Sequence, residues 1–485
     1  VHTIQPGTGL LTFADSAYAM RRNDEPPVLD WVPDRRTLVY RRPLSGFHPL
    51  YYIENWPAQG NLLFASEIKA LFALGIPRRL HLAALDALLR YGFIPAPWTA
   101  FQDIQIVPAG SILRWQRAKT VLNQATDYHF EDQSDLSSAT NGEQLHAELS
   151  NATAALLPPH DQLVALTGGG PASALTALLA TQQAEAPFTI ATLSSTDVDP
   201  RWQAIERIAD ACGSPLLAVT SLDQPDFWAA TIAGTEAPAR DTRALAVHQL
   251  LHTTALETQA RSAISGLGAH VLLPTMTPYD EQTQWRQDTL AHYRQQLPTG
   301  EEKSSLWSQD TLHQLGTAER WEDTLHARKL ARHAAQLANP QQAHYYLDLH
   351  LRLPDALVTP FSQLATQERL ALRSPYLHPH VLDALTRLPE NGFTKSNLLN
   401  SIVRHYLPEQ PPTTFPLQLP LGSLYHHDSD LLQATLTPAA LRATGLFDEH
   451  AVAELLQAEQ PAAPPALIFV FTAQLLAQLF GASVQ

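Results

Sequence analysis

Gln162-Leu163-Val164-Ala165-Leu166-Thr167-Gly168-Gly169-Gly170-Pro171-Ala172-Ser173-Ala174-Leu175 is the stretch on which the fold turns. Residues 162–166 read as a buried strand, three consecutive glycines follow, and 172–183 read as a helix. In such a turn, backbone N–H groups and a helix amino terminus can face a phosphate. Pro171 suits the first helical turn, where its missing N–H is not needed. Ser173 reads as a capping residue. Outward from this turn, the pattern alternates: strand 188–193, helix 202–212 with Gly213 behind it, strand 216–219, helix 242–259, strand 263–264. Strands alternating with helices predict a parallel sheet covered on both faces. From about residue 300 the pattern is mainly helical.

Upstream, short apolar strands at 37–40, 50–53 and 62–65 are separated by turn residues, which predicts antiparallel sheet. Helices are expected at 66–74 and 82–91, and two more strands near 104–106 and 111–115. Residues 131–145 are polar and read as a linker. The expected division is therefore a first domain over 1–130, a linker over 131–145 and a second domain over 146–485. The longest apolar run, 466–480, is interrupted by Gln474 and Gln478 and is short for a bilayer span, so it reads as a buried helix.

Of the 485 residues, 45 % are hydrophobic, enough for a large core, and 16 % are charged. A balance of 32 Lys and Arg against 47 Asp and Glu leaves −15, a poor match for nucleic acid or an anionic membrane. One cysteine, Cys212, excludes an internal disulfide or a multi-thiolate metal site and fits a cytoplasmic setting. With 21 histidines in the chain, His378 and His380, or His426 and His427, read as chance pairs with no third ligand at a telling spacing.

Four segments resemble glutamine-dependent asparagine synthetases and their relatives, the β-lactam and lasso-peptide macrolactam synthetases. Arg42-Pro43-Leu44-Ser45-Gly46-Phe47-His48-Pro49-Leu50-Tyr51-Tyr52 is similar to R-D-x-x-G-x-x-P-L-Y-Y, with Pro43 for the Asp. Phe64-Ala65-Ser66-Glu67-Ile68-Lys69-Ala70-Leu71 fits F-A-S-E-I-K-A-L throughout. Tyr91, Pro97, Thr99, Phe101, Ile104 and Pro108-Ala109-Gly110 follow a third motif. Leu353-Pro354-Asp355 and Arg373-Ser374-Pro375-Tyr376-Leu377 resemble L-P-D and E-x-R-x-P-F-L-D. The resemblance implies an α/β protein: a truncated amino-terminal-nucleophile glutaminase-like sandwich, then an ATP-pyrophosphatase parallel-sheet domain with a helical carboxy-terminal part.

The resemblance also implies sites, and each departs from its pattern. The glutaminase nucleophile would be an amino-terminal cysteine, but the sequence opens Val1-His2-Thr3-Ile4 and Cys212 reads as a packing residue. The nucleotide loop would be S-G-G-x-D-S-S; here it is Thr167, Gly168, Gly169, Gly170, Pro171, Ala172 and Ser173, with Pro171 at the Mg²⁺-ligand position. The second loop would be S-G-x-G-x-D-E; here Gly266 and Gly268 persist while His270 and Val271 replace both carboxylates. A basic R-x-K-x-G-F loop is matched by residues 414–422, without Lys or Arg; Lys395 and Arg404 nearby read as surface charges.

The resulting expectation is a catalytically degenerate homologue without glutaminase or Mg-ATP adenylation. It would act as partner, scaffold or regulatory subunit beside an intact relative or a biosynthetic enzyme, with no metal or cofactor. The alternative is an ATP-dependent amide-forming ligase with a remodelled site, using ATP and Mg and an amine already present in its substrate.

Overall fold

The computed structural model describes residues 2–4, 28–32, 37–124, 128, 138–158, 162–194, 201–220, 226–273, 285–297, 304–387, 392–408, 429–457 and 465–484. The amino-terminal part is a sandwich of two four-stranded antiparallel sheets. One sheet runs in the order β1 (His2–Ile4), β5 (Leu62–Ala65), β4 (Tyr51–Glu54), β6 (Gln105–Ile106). The other runs β2 (Val28–Val32), β3 (Thr37–Arg41), β7 (Ser111–Gln116), β8 (Lys119–Gln124). Alternate residues fill the space between them: Leu38, Tyr40, Tyr52, Leu62, Phe64 and Trp115 form one cluster. Tyr51, Ile53, Leu63 and Ala65 point the other way, into the main core. With both faces buried, β5 reads as an unbroken apolar run, Leu-Leu-Phe-Ala.

The helix expected at 66–74 is shorter, α1 (Ile68–Phe72), while α2 (Leu82–Tyr91) has the expected bounds and stops at Gly92 in left-handed backbone. The second half of the polar stretch 131–145 is helical, because α3 runs Ser138–Leu156. Its first six positions carry Ser, Thr, Asn and Gly, which disguise a helix start as a linker.

The second part is a five-stranded parallel sheet in the order β11 (Leu216–Thr220), β10 (Thr189–Ser194), β9 (Leu163–Leu166), β12 (Ser262–Ser265), β13 (Ala371–Arg373). α4 (Pro171–Gln183) and α5 (Trp202–Cys212) cover one face, where Ala165, Ala174, Ala177, Ile190, Ile208 and Ile264 pack together. α6 (Asp226–Thr235) and α7 (Arg243–Thr258) belong to the main core, with Val164, Ala191, Leu245 and Leu250. The chain builds outward from β9 to β10 and β11, then returns to place β12 on the other side of β9. That reversal opens a crevice beyond the carboxyl ends of β9 and β12. Both glycine loops lie there. Helices follow: α8 (Ala269–Leu272), then a near-continuous helical run of Pro340–Leu347, a wide-turned Asp348–Val358 segment and Thr359–Gln367. Helix Pro465–Phe480 is buried around most of its circumference, as a helix apolar on every side should be. Its Gln474 is fully buried and donates to Thr444 Oγ1 at 2.8 Å. Among the described residues no helix is long and apolar enough to cross a membrane.

The motifs of the first part meet Leu353-Pro354-Asp355 and Glu236 at the seam between the two parts. Arg42 is 0 % exposed and donates to the carbonyls of Val107 (2.7 Å) and Gly46 (2.6 Å) and to Thr359 Oγ1 (2.6 Å). Gly46 has φ +92°, and a Cβ there would sit 2.7 Å from Pro354 Cα, so the first motif demands glycine where it touches the L-P-D motif. Asp355 of that motif accepts from Ala96 N at 2.8 Å. Glu236, just after α6 and at φ +54°, accepts from Ile68 N and Lys69 N, both at 2.7 Å. Burial pushes the carboxyls of Glu236 and Asp355 up to about 7, against the pull of these amides and, for Asp355, of Arg42.

Candidate functional site

β9 ends at Leu166, and the loop 167–170 carries the chain into α4 with Gly170 at the N-cap and Pro171 at the first helical position. Ser173 lies three residues inside the helix, so it does not cap it. Its hydroxyl donates to Gly170 O (3.1 Å) and accepts from Gly168 N (3.4 Å), which leaves the Thr167 hydroxyl to donate to Ser173 Oγ at 3.0 Å. Thr167 Oγ1 in turn accepts from Gly169 N at 3.1 Å. Two amides of the loop are thus spent on the loop's own hydroxyls. Gly169, at φ +76°, turns away beneath Ile205 and Arg201, whereas a Cβ on Gly168 would meet nothing within 4 Å.

The second loop is pressed against the first. A Cβ on Gly266 would lie 2.9 Å from Ser173 N, so only glycine allows this approach. Gly268, at φ +87°, starts α8. Motif residues brace both loops from behind: Ser374 Oγ donates to Leu267 O (2.7 Å) and Tyr376 OH to Ala172 O (3.2 Å). Arg373 donates to the Leu156 carbonyl.

Together the loops form one side of a cavity of about 920 Å³. Thr167, Gly168, Gly170, Pro171, Ser173, Gly266, Gly268 and His270 all line it; Gly169 does not. His270 is open to the cavity yet ringed by its walls. Desolvation, then the positive charges of Arg352 and Arg243, push its pKa down to about 4, against Asp348, so the imidazole is neutral at pH 7. Four charged lining residues were not singled out in the sequence: Arg240, Asp241, Arg243 and Arg352. Asp241 is the one carboxylate among the described lining residues, and Arg243 clamps it through Nε (2.8 Å) and Nη2 (2.7 Å) while its backbone N–H adds a bond of 2.9 Å. Arg352 lies 3.5 Å from Asp348. Arg240 donates to Leu89 O at 2.6 Å, and its Nε is buried without a partner. These residues were overlooked because they come from the turn before α7 and from the wide-turned segment, which only the folded chain brings to the glycine loops.

The 149–475 region matches the asparagine synthase family, and 29–128 matches the glutamine amidotransferase domain. The chain belongs to the asparagine synthase family. No curated protein is similar enough to match. One solved structure resembling this asparagine synthase homologue is the NMN synthetase from Francisella tularensis, 15 % identical, covering 48 % of this chain and 97 % of that one, with a TM-score of 0.21. A likeness at that level says nothing of chemistry here.

In this family member the remaining predicted positions fall as follows. Cys212 is buried in the α5 face of the sheet, and burial pushes its thiol up. The rings of His378 and His380 are 5.4 Å apart, and no group of three potential metal ligands exists among the described residues. The E-x-R-x-P-F-L-D motif also has Ala371 at its Glu and His378 at its final Asp, a departure that comes into view once Arg373 is anchored at the end of β13. Arg404 is exposed on its helix. Residues 414–422, His426 and His427 and the side chain of Lys395 lie outside the described residues.

Proposed function

We propose that this chain is a catalytically degenerate asparagine synthase homologue that has given up Mg-ATP adenylation and works by binding, as a partner, scaffold or regulatory subunit of an intact relative or a biosynthetic enzyme. One observation carries the reading: the two positions where the family holds magnesium are Pro171 and His270, and the single described carboxylate in the cavity is already clamped by Arg243. Mg²⁺ is a hard ion that takes oxygen ligands. A proline, a neutral imidazole and a neutralised aspartate do not fit it. Metal stabilisation of phosphoryl charge is worth several kcal/mol. At about 1.36 kcal/mol per tenfold, its loss costs a thousandfold or more in rate.

The self-satisfied loop supports the same reading, since its Gly168 and Gly169 amides already have acceptors. Cys212 is the sole cysteine of residues 1–485, and its core position and raised thiol pKa disqualify it as a glutaminase nucleophile. The preserved cavity favours a second reading, a ligase with a remodelled site that uses an amine supplied by its own substrate. Calorimetric titration with ATP, with and without Mg²⁺, and a pyrophosphate-release assay with candidate acids separate the two. The degenerate reading expects no Mg²⁺-dependent binding and no pyrophosphate; micromolar, Mg²⁺-dependent binding overturns it.

A further inference from the structure

A degenerate scaffold has no need of a 920 Å³ hole, yet the cleft has not collapsed. Volumes of this order are those of small-molecule sites. Its wall divides chemically. Val247, Leu251, Leu273, Leu357, Phe361 and Ile468, all nearly buried, back an apolar side. Beside it stand the guanidinium groups of Arg240, Arg243 and Arg352 against the carboxylate of Asp241 and that of Asp348, 3.5 Å from Arg352, which leaves an excess of one positive charge among these groups. His270 and Pro171, standing where the family has carboxylates, remove the negative charge that would repel an anion. Gly168 leaves open space at the loop.

We propose that this cavity binds a phosphate monoester carried on a long apolar body, without a divalent cation. Guanidinium groups form charge-assisted bonds with phosphate oxygens. A phosphate monoester carries about −1.5 to −2 charge at pH 7, opposite in sign to the excess in the wall. The apolar body replaces water along the leucine-rich surface, each buried methylene adding a few-fold in affinity. The proposal rests on the degenerate reading only for the absence of magnesium.

The test titrates the full chain in EDTA with dodecyl phosphate below its micelle-forming concentration, beside octyl phosphate, dodecanoate, inorganic phosphate and ATP. The expected result is saturable one-to-one binding of dodecyl phosphate, on the order of a hundredfold tighter than octyl phosphate, with dodecanoate weaker and inorganic phosphate undetectable. Arg352→Met should weaken dodecyl phosphate about tenfold, and Arg352→Lys should restore part of the loss; melting curves of both variants establish that they fold, and Arg240→Met serves if Arg352→Met does not. No saturable binding, or binding unchanged in both arginine variants, overturns the proposal. Dodecanoate binding as tightly overturns the charge match, and ATP in EDTA binding more tightly than dodecyl phosphate overturns the apolar body. Mg²⁺-dependent ATP binding with dodecyl phosphate still bound sinks the degenerate reading instead, so the two failures are distinguishable.

Discussion

At the seam, Arg42 bonds Val107, Gly46 and Thr359, Glu236 holds the amides of Ile68 and Lys69, and Asp355 holds that of Ala96. At the cleft, Pro171 and His270 line the cavity and Asp241 is tied to Arg243. Both regions hold residues of the family's motifs. The seam keeps its polar groups because they are buried or half-buried and bonded across the two parts, so that losing one strands its partners. The cleft faces open space, where a change of side chain strands little. Folding constrains the seam, whereas only chemistry would constrain the cleft, where Asp241 is the one carboxylate among the described lining residues.

That comparison breaks most readily at Arg42. Arg42→Ala should cost about 3–5 kcal/mol, because it leaves the Val107 carbonyl and Thr359 without their donor and Gly46 O with only the 3.5 Å bond from Thr359. Urea denaturation measures it, and a cost under about 1 kcal/mol would mean that the seam is no better constrained than the cleft. Asp355 gives the next largest effect, read as a pH dependence. Its folded pKa of about 7 lies above the ordinary carboxyl value, so the stability from its protonated form is complete below pH ~4 and lost as pH rises through about 7. Asp355→Asn removes that titration and should reduce the fall in unfolding free energy between pH 5 and 8 by roughly 3 kcal/mol, while Glu236 continues to titrate in the same direction. An unchanged slope would show that Asp355 ionises freely at the seam. The smallest effect belongs to the cleft: Ser173→Ala removes the hydroxyl that ties Gly168, Thr167 and Gly170 and should cost about 1 kcal/mol. A loss as large as that of Arg42→Ala would erase the contrast.

Much of the fold is legible in local sequence. The 62–65 run, the glycine turn after 166 and the apolar 466–480 helix each state their structure through composition and period. Other elements give little local sign. β8 pairs with β7 around Arg117 and Ala118, both with positive φ, where an Asn-Gly pair would have advertised a hairpin. β13 is three residues long and exists because β12 offers its edge. Ser173 carries the residue type of a cap, yet its position three residues inside α4 turns its hydroxyl back onto the loop.

For the site, the sequence by itself determined the two glycine turns and the residues they carry, Pro171 and His270 among them, because a turn lies within a dozen consecutive residues. Only the tertiary structure decided the electrostatics of the cavity. Arg240, Arg243 and Arg352 are ordinary cations in their own segments, and they become one charged wall because α7 starts at the crevice beyond β9 and β12 and the wide-turned 348–358 segment passes it. Charge acts through distance in space, and sequence records only distance along the chain.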